Sequence, residues 1–285
     1  MSFSRRERRL RGRYANVDGI PFRMPVATGS SPSLTALFRA DADAVRKLLP
    51  GRELRPLRIG RHALLLVTVV DYQDTDIGRY IELCVGVPCR RGLTGLGVYI
   101  HDLPVSTEIS VKGGLGIWGM PKRRASLDFL VDADTVSSQY DLDGRMVLRI
   151  DAPRPARTPL PVRFRTVGYG SFRGLLVRSR IRLAGRVGLR RGGRLTLGDH
   201  PRARVLRDLG VGSRPLVTAF LPAMVGVLDD HVESWFLTFD APVPPAVPGL
   251  RDVVDLGLGQ EWPPPPDRAA ADRRRQPPVG QVPGR

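Results

Sequence analysis

Lysine is almost missing from this 285-residue chain: Lys47, Lys112 and Lys122 are the only three, and arginine supplies the rest of its 45 basic side chains. Cysteine is scarcer still. Cys84 and Cys89 cannot build a disulfide framework, and nothing near them has a zinc spacing. A reducing cytoplasm is the plain reading. The four histidines, His62, His101, His200 and His231, contain no i, i+4 pair of the kind that holds a metal. There is no G-x-S-x-G elbow, no P-loop and no dinucleotide fingerprint, so no cofactor and no metal is expected. Long apolar runs are absent too. No stretch approaches the ~18 residues a membrane helix needs, so a membrane is not an expected partner. The N-terminus, "MSFSRRERRLRGR", lacks the apolar segment of a secretory signal.

What the chain does have is positive charge, +17 in total. Its distribution matters more than its size. Six arginines against Glu7 give +5 in residues 1–13, and five against Asp267 and Asp272 give +3 in residues 262–285. Both ends read as unstructured: a basic arm at 1–14 and a Pro/Arg-rich tail at 262–285. A third basic region, "VRSRIRLAGRVGLRRGGR", alternates Arg178, Arg180 and Arg182 with Ser179, Ile181 and Leu183. That period of two describes a strand with one solvated face. A phosphate-binding surface is the alternative. Without interleaved aromatics it is the weaker one, and nucleic acid is not expected as a partner.

Between the two ends no composition break divides the chain, and a single domain over 15–261 is expected. Hydrophobic residues at 42% suffice for a substantial core at this length. Gly 31 and Pro 26 with 26% charged residues favour turns and short strands. Helices are few. "DADAVRKLLPG" has Asp41 as a cap and Pro50-Gly51 as a stop, and two more begin at Ser106 and Pro201. Strand patterns fill "HALLLVTVVDY", "RYIELCVGV", "GLGVYIHDL", "RASLDFLVD", "TVSSQYDL", "RMVLRIDA", "GLLVRSRIRL" and "GRLTLG". Asp143-Gly144 makes a hairpin between two of them. The fold class is therefore α+β and β-rich, with antiparallel strands forming a sheet or barrel against a few helices.

The chemistry starts from the lysine scarcity. A neutral lysine amine attacks a carbonyl to form an imine, which arginine cannot do. At the ordinary pKa of ~10.4 the amine is protonated, so it needs an apolar pocket or a nearby cation to become reactive at neutral pH. In "GIWGMPKRR" Lys122 follows Ile117, Trp118, Met120 and Pro121 and precedes Arg123. Adjacent side chains on a regular strand point apart, so Arg123 acts on Lys122 only through a bent segment. The alternative is a surface lysine in a loop. In "RYIELCVGV", Ile81, Leu83, Val85 and Val87 share one face, and Tyr80, Glu82 and Cys84 the other. Glu82 is either a half-exposed sheet residue or an acid facing a cavity. Arg39, just before the helix cap, either flanks the helix or holds a carboxylate substrate.

Together these segments resemble the acetoacetate decarboxylase family. "GIWGMPKRRASLDF" is similar to its active-site segment, "GRYIELCVGV" to its Gly-x-Tyr-x-Glu strand, and "LFRADADAVRKLLPGREL" to its early arginine-helix segment. The resemblance covers roughly residues 20–240. It implies sheets closing into a cone-like barrel or cavity, a homo-oligomer, and a carboxy-lyase acting on a keto acid or related carbonyl compound. It implies that Lys122 forms the Schiff base, Arg123 is the neighbouring cation, Glu82 the proton-handling carboxylate and Arg39 the substrate-carboxylate holder, with Trp118 and Met120 as the apolar wall. That family is itself the standing example of a lysine activated by desolvation or an adjacent cation. Two departures remove charge from the expected pocket. Leu115-Gly116 stands where the family places Arg-Glu, and Val67 stands where some members carry a second carboxylate. They favour the alternative that the imine serves aldol or dehydration chemistry. A non-catalytic binding module for an apolar acid is the reading from another class.

Overall fold

The computed structural model describes residues 8, 12–92, 95–172 and 174–236. Most of the expected arm at 1–14, the expected tail at 262–285 and the end of the expected domain at 237–261 lie outside the described residues.

The chain opens with a hairpin of β1 (Arg13–Val17) and β2 (Ile20–Met24), turning at Asp18 and Gly19, both at positive φ. The long β3 (Val26–Asp41) runs into α1 (Ala42–Leu48). Asp41 caps this helix as its sequence suggests, accepting hydrogen bonds from the amides of Asp43 and Ala44. Short β4 (Leu54–Pro56) and β5 (Arg58–Ile59) lead to β6 (His62–Tyr72), β7 (Tyr80–Arg91) and β8 (Gly95–Val105). Helix α2 (Glu108–Trp118) then feeds β9 (Lys122–Arg124). A second group follows: β10 (Ser126–Leu127), β11 (Leu130–Val131), β12 (Thr135–Leu142) and β13 (Arg145–Pro153). The chain returns through β14 (Leu160–Phe172), β15 (Leu175–Arg190) and β16 (Arg194–Leu197) to α3 (Pro201–Asp208) and β17 (Val217–Phe236).

The main sheet runs β4-β7-β6-β3-β17-β15-β14-β8-β9, and β7 also pairs with β8. Seven strands therefore close into a barrel, as the fold class requires. Two of its pairings depart from the antiparallel expectation: β14 with β8 and β8 with β9 are parallel. Five short strands, β10 to β13 and β16, make a separate sheet. "RASLDFLVD" is not one strand but the pieces β10 and β11, with Arg124 belonging to β9. The Asp143-Gly144 hairpin is present, both residues at positive φ.

Alternation along each barrel strand separates apolar residues onto two faces. Leu34 and Phe38 of β3, Leu65 of β6, and Leu83 and Val85 of β7 pack with Tyr140, Leu148 and Ile150 of the second sheet, and with Val45 and Leu206 of the helices. This is the main core, and it lies against the barrel's outer face. Each such leucine, fully buried, is worth about 1.5–3 kcal/mol. The opposite, inward face carries a smaller cluster of Met24, Ile100, Leu103, Trp118 and Met120, against which Cys84 packs. Glu82 shares the face of Cys84 on β7, so the strand places its carboxylate inside the barrel. No helix among the described residues is long and apolar enough to cross a membrane.

Candidate active site

Lys122 is aimed by the way α2 ends. Gly119 takes the left-handed conformation at φ 60, and its amide reaches back to the carbonyls of Gly114 and Leu115. Met120 N–H also donates to Gly114 O at 3.1 Å. Glycine is the residue that closes a helix this way without a Cβ clash. The chain reverses through Met120 and Pro121, and β9 begins at Lys122 beside Leu103 of β8. The Lys122 side chain folds back against α2. A Cβ at Gly114 would stand 2.3 Å from Lys122 Cδ, so the glycine at that helix position makes the lysine's channel.

At the end of that channel Lys122 Nζ lies 2.7 Å from Glu82 Oε2 and donates to Ser110 Oγ at 2.9 Å. It sits 5.2 Å from the centroid of the Tyr80 ring, within cation–π range. Tyr80 stacks on Tyr72, centroids 4.7 Å apart, and the Tyr72 hydroxyl donates to Glu82 Oε1 at 3.4 Å. The two oxygens of Glu82 are thus divided between a lysine and a tyrosine. The lysine and glutamate side chains keep 6% and 15% of their exposure, so a desolvated ion pair faces the barrel interior.

The electrostatics correct one expectation. Burial does pull Lys122 down, but Glu82 and then Tyr80 oppose it, and the net direction is upward from the ordinary lysine value. The resting side chain is an ammonium. The buried phenols remain protonated. Tyr72 is pushed well up by burial and then by Glu82, and Tyr80 is raised chiefly by burial. Burial also raises the Cys84 thiol, which is therefore no nucleophile here.

The expected residues divide accordingly. Lys122, Glu82, Trp118 and Met120 all turn to the barrel's inner face. Trp118 and Met120 are buried in the inner cluster, and the Trp118 indole donates to the Asp229 carbonyl of β17 at 2.6 Å. Arg123 does not join them. Its side chain points the other way, as strand alternation requires, and Nε donates to Asp102 Oδ1 at 2.9 Å. Arg39 does not join them either. It is exposed and paired with Leu64, six residues along β3 from Ser33, which shares the Glu82 row through Val70. That separation is about 20 Å of extended strand. The two departures from the family pattern also lie elsewhere. Val67 is in the outer core opposite Val85, Leu115 is 41% exposed, and Gly116 packs on Val17.

Ser110, Gly114 and Tyr72 were not singled out in the sequence. Ser110 and Gly114 carried a usable signal: four residues apart on one helix, they share a face. Tyr72 is placed by the β6–β7 register, where it stands opposite Tyr80. Among the described residues no group of three or more His, Cys, Asp or Glu side chains is placed to hold a metal ion.

The chain matches the family model described as Acetoacetate decarboxylase (ADC) over residues 14–233. It is 27% identical over 106 residues to an acetoacetate decarboxylase of Clostridium botulinum (strain Eklund 17B / Type B), covering 37% of this chain and 41% of that one. It is 29% identical over 105 residues to one from Acidiphilium cryptum (strain JF-5), covering 36% and 40%. These matches span about two fifths of the relatives' length. The fold is similar to the crystal structure of acetoacetate decarboxylase from Legionella pneumophila subsp. pneumophila str. Philadelphia 1. The TM-score is 0.58 at 18% identity, over 74% of this chain and 88% of that one.

Proposed function

The chain belongs to the acetoacetate decarboxylase family, and from that premise we propose that it is a lysine-imine enzyme acting on a β-keto acid or related carbonyl compound. The observation that carries the reading is the buried Lys122–Glu82 pair at 2.7 Å. The pair faces the barrel interior, and its carboxylate is within hydrogen-bond reach to take the lysine's proton.

In this mechanism Glu82 takes a proton from the Lys122 ammonium as the carbonyl compound enters, leaving a neutral amine and a carboxylic acid. The amine attacks the carbonyl carbon, and the carbinolamine loses water with the Glu82 proton, giving an iminium. For a β-keto acid the bond to the carboxyl carbon then breaks. Its electron pair flows into the iminium, releasing carbon dioxide and leaving an enamine. Protonation of the enamine carbon and hydrolysis return the ketone and the free lysine. Tyr72 holds the second oxygen of Glu82 throughout, and Ser110 orients Nζ. The wall of Trp118, Met120, Ile100 and Leu103 keeps water from competing.

A second reading has its own support. Arg39 lies far along β3 and Arg123 is engaged by Asp102. A substrate carboxylate beside Glu82 would therefore meet neither arginine, and unpaired burial of such a charge is costly. This favours an uncharged carbonyl substrate whose enamine is used for aldol, retro-aldol or dehydration chemistry. Borohydride reduction in the presence of a panel of keto acids, ketones and enals tests the lysine. A covalent adduct on Lys122, absent from Lys122→Arg, is expected. No adduct with any compound rejects the imine. Carbon dioxide release measured against product mass separates the two reactions.

A further inference from the structure

The hairpin of β14 and β15 is long and has no acid in it. Residues 160–190 hold eight arginines, of which Arg173 lies outside the described residues, and neither aspartate nor glutamate. Arginine itself carries no weight in a chain with three lysines. The missing acid does. Elsewhere on the surface Arg79 has Asp71, Arg145 has Asp199 and Arg149 has Asp151.

The register gathers part of this charge on one face. Directly opposed residues of an antiparallel pair share a face. Arg163 stands opposite Ala184, Arg165 opposite Arg182, and Val167 opposite Arg180. The four arginines therefore occupy three successive rows. Alternate residues of a strand are about 6.7 Å apart, so the strip is about 13 Å long and two strands wide. Val167 belongs to the main core on the barrel's outer face, whereas a Cβ on its neighbour Gly168 would meet Ile100 of the inner cluster. The strip thus lies outside the barrel, on the face opposite to that of Lys122. β17 continues this face with Val225 and Val227, which bring no charge to it.

Arg163, Arg165 and Arg180 are exposed, and Arg182 is half-buried. Among the described residues the first three make no ion pair. Like charges facing each other across a ladder destabilise it. A ligand with several negative charges in a row reverses that effect. Guanidinium forks match phosphate oxygens two at a time, and three rows of them match several linked phosphates rather than one. A single-stranded nucleic acid would also ask for aromatic rings under its bases. Tyr169, the aromatic of this face, is fully buried, and Phe164 alternates to the other face.

We propose that the outer face of β14 and β15 is a binding site for a linear polyphosphate, free or as the tail of a nucleotide, held by Arg163, Arg165, Arg180 and Arg182. The site is separate from Lys122 and does not depend on the imine reading.

The test is calorimetric titration of the full chain with sodium triphosphate and with ATP. Arg165→Gln/Arg180→Gln is expected to weaken triphosphate binding at least tenfold, and Arg165→Lys/Arg180→Lys to stay within about threefold of the parent. Residues 1–13 also carry +5, so Arg5→Gln/Arg6→Gln is the control and should bind within about twofold of the parent. Thermal unfolding reads the repulsion itself. Without ligand the double glutamine variant should melt above the parent, and triphosphate should raise the melting temperature of the parent but not of the variant. Equal affinities for triphosphate and ATP would make the phosphate chain the whole of what is recognised; tighter binding of ATP, lost with the same arginines, would make a nucleotide the source. The proposal is overturned by no binding of triphosphate, by a loss that follows Arg5 and Arg6 instead of the hairpin, or by duplex DNA held more tightly than triphosphate by the same arginines.

Discussion

Replacing Glu82 with glutamine isolates what the carboxylate does to the lysine. Glu82 is the largest influence raising Lys122, and burial, the influence lowering it, survives the substitution. The nitrogen and oxygen are 2.7 Å apart. Unit charges centred about 4 Å apart in an effective dielectric of about 20 interact by about 4 kcal/mol. Even with part of the pair's attraction lost to solvent, Lys122 in Glu82→Gln should titrate below its place in the parent, because burial is left unopposed by Glu82. The assay is the rate of borohydride trapping with a simple ketone as a function of pH. In the parent the rate climbs with pH through the alkaline range, because the raised lysine gives up its proton above the ordinary ~10.4. In Glu82→Gln the rise should move toward neutral pH. On the imine proposal turnover should fall by about 10²–10⁴, because the group assigned to carry protons between steps is gone. The sign extends to stability. A raised folded pKa means that the pair's contribution is complete below the ordinary lysine value and is lost as pH climbs through the folded one. The stability gap between parent and variant should therefore be constant near neutrality and close at alkaline pH. A trapping profile that stays in place, or moves upward, would refute the argument that Glu82 holds the proton on Lys122.

Two further substitutions probe the frame around the pair. Gly114→Ala puts a Cβ 2.3 Å from Lys122 Cδ. It should cut trapping at least tenfold while leaving far-ultraviolet circular dichroism unchanged, since alanine favours the helix; undiminished trapping would mean the lysine has another channel. Leu83→Ala removes a fully buried side chain from the outer core one residue from Glu82. It should cost about 2–5 kcal/mol in urea unfolding, with the trapping profile retained in the folded protein because the two side chains face opposite ways.

Legibility in the sequence followed how local the determining physics is. The α1 cap at Asp41, the Asp143-Gly144 turn and the strand at 62–72 depend on a few adjacent residues, and each stands where its pattern predicts. The two faces of β7 were legible for the same reason: alternation alone puts Leu83 and Val85 in the outer core and Glu82 inside. Closure of the barrel was not legible from strand patterns. It depends on parallel contacts such as Gly168 with Val98, residues distant in sequence with no turn between them to fix the register. The resemblance supplied the barrel that periodicity could not. Arg39 shows the opposite hazard. Its position before the helix was read correctly, but its place along β3 relative to Glu82 depends on the β3–β6–β7 register, which one strand does not carry.

The arginine bias of the chain now separates two neighbouring positions by their chemistry. Position 123 requires a permanent cation with a rigid N–H to hold the buried Asp102 carboxylate, and a guanidinium supplies both. On the imine proposal, position 122 requires the reverse: a cation that can stop being one. Lys122 is charged and paired with Glu82. Arginine at 122 could form the same ion pair, since Glu82 and Ser110 accept hydrogen bonds from either. It could not complete the next step, because a guanidinium does not deprotonate in a protein. On that proposal Lys122, unlike Arg123, stands where a proton has to leave.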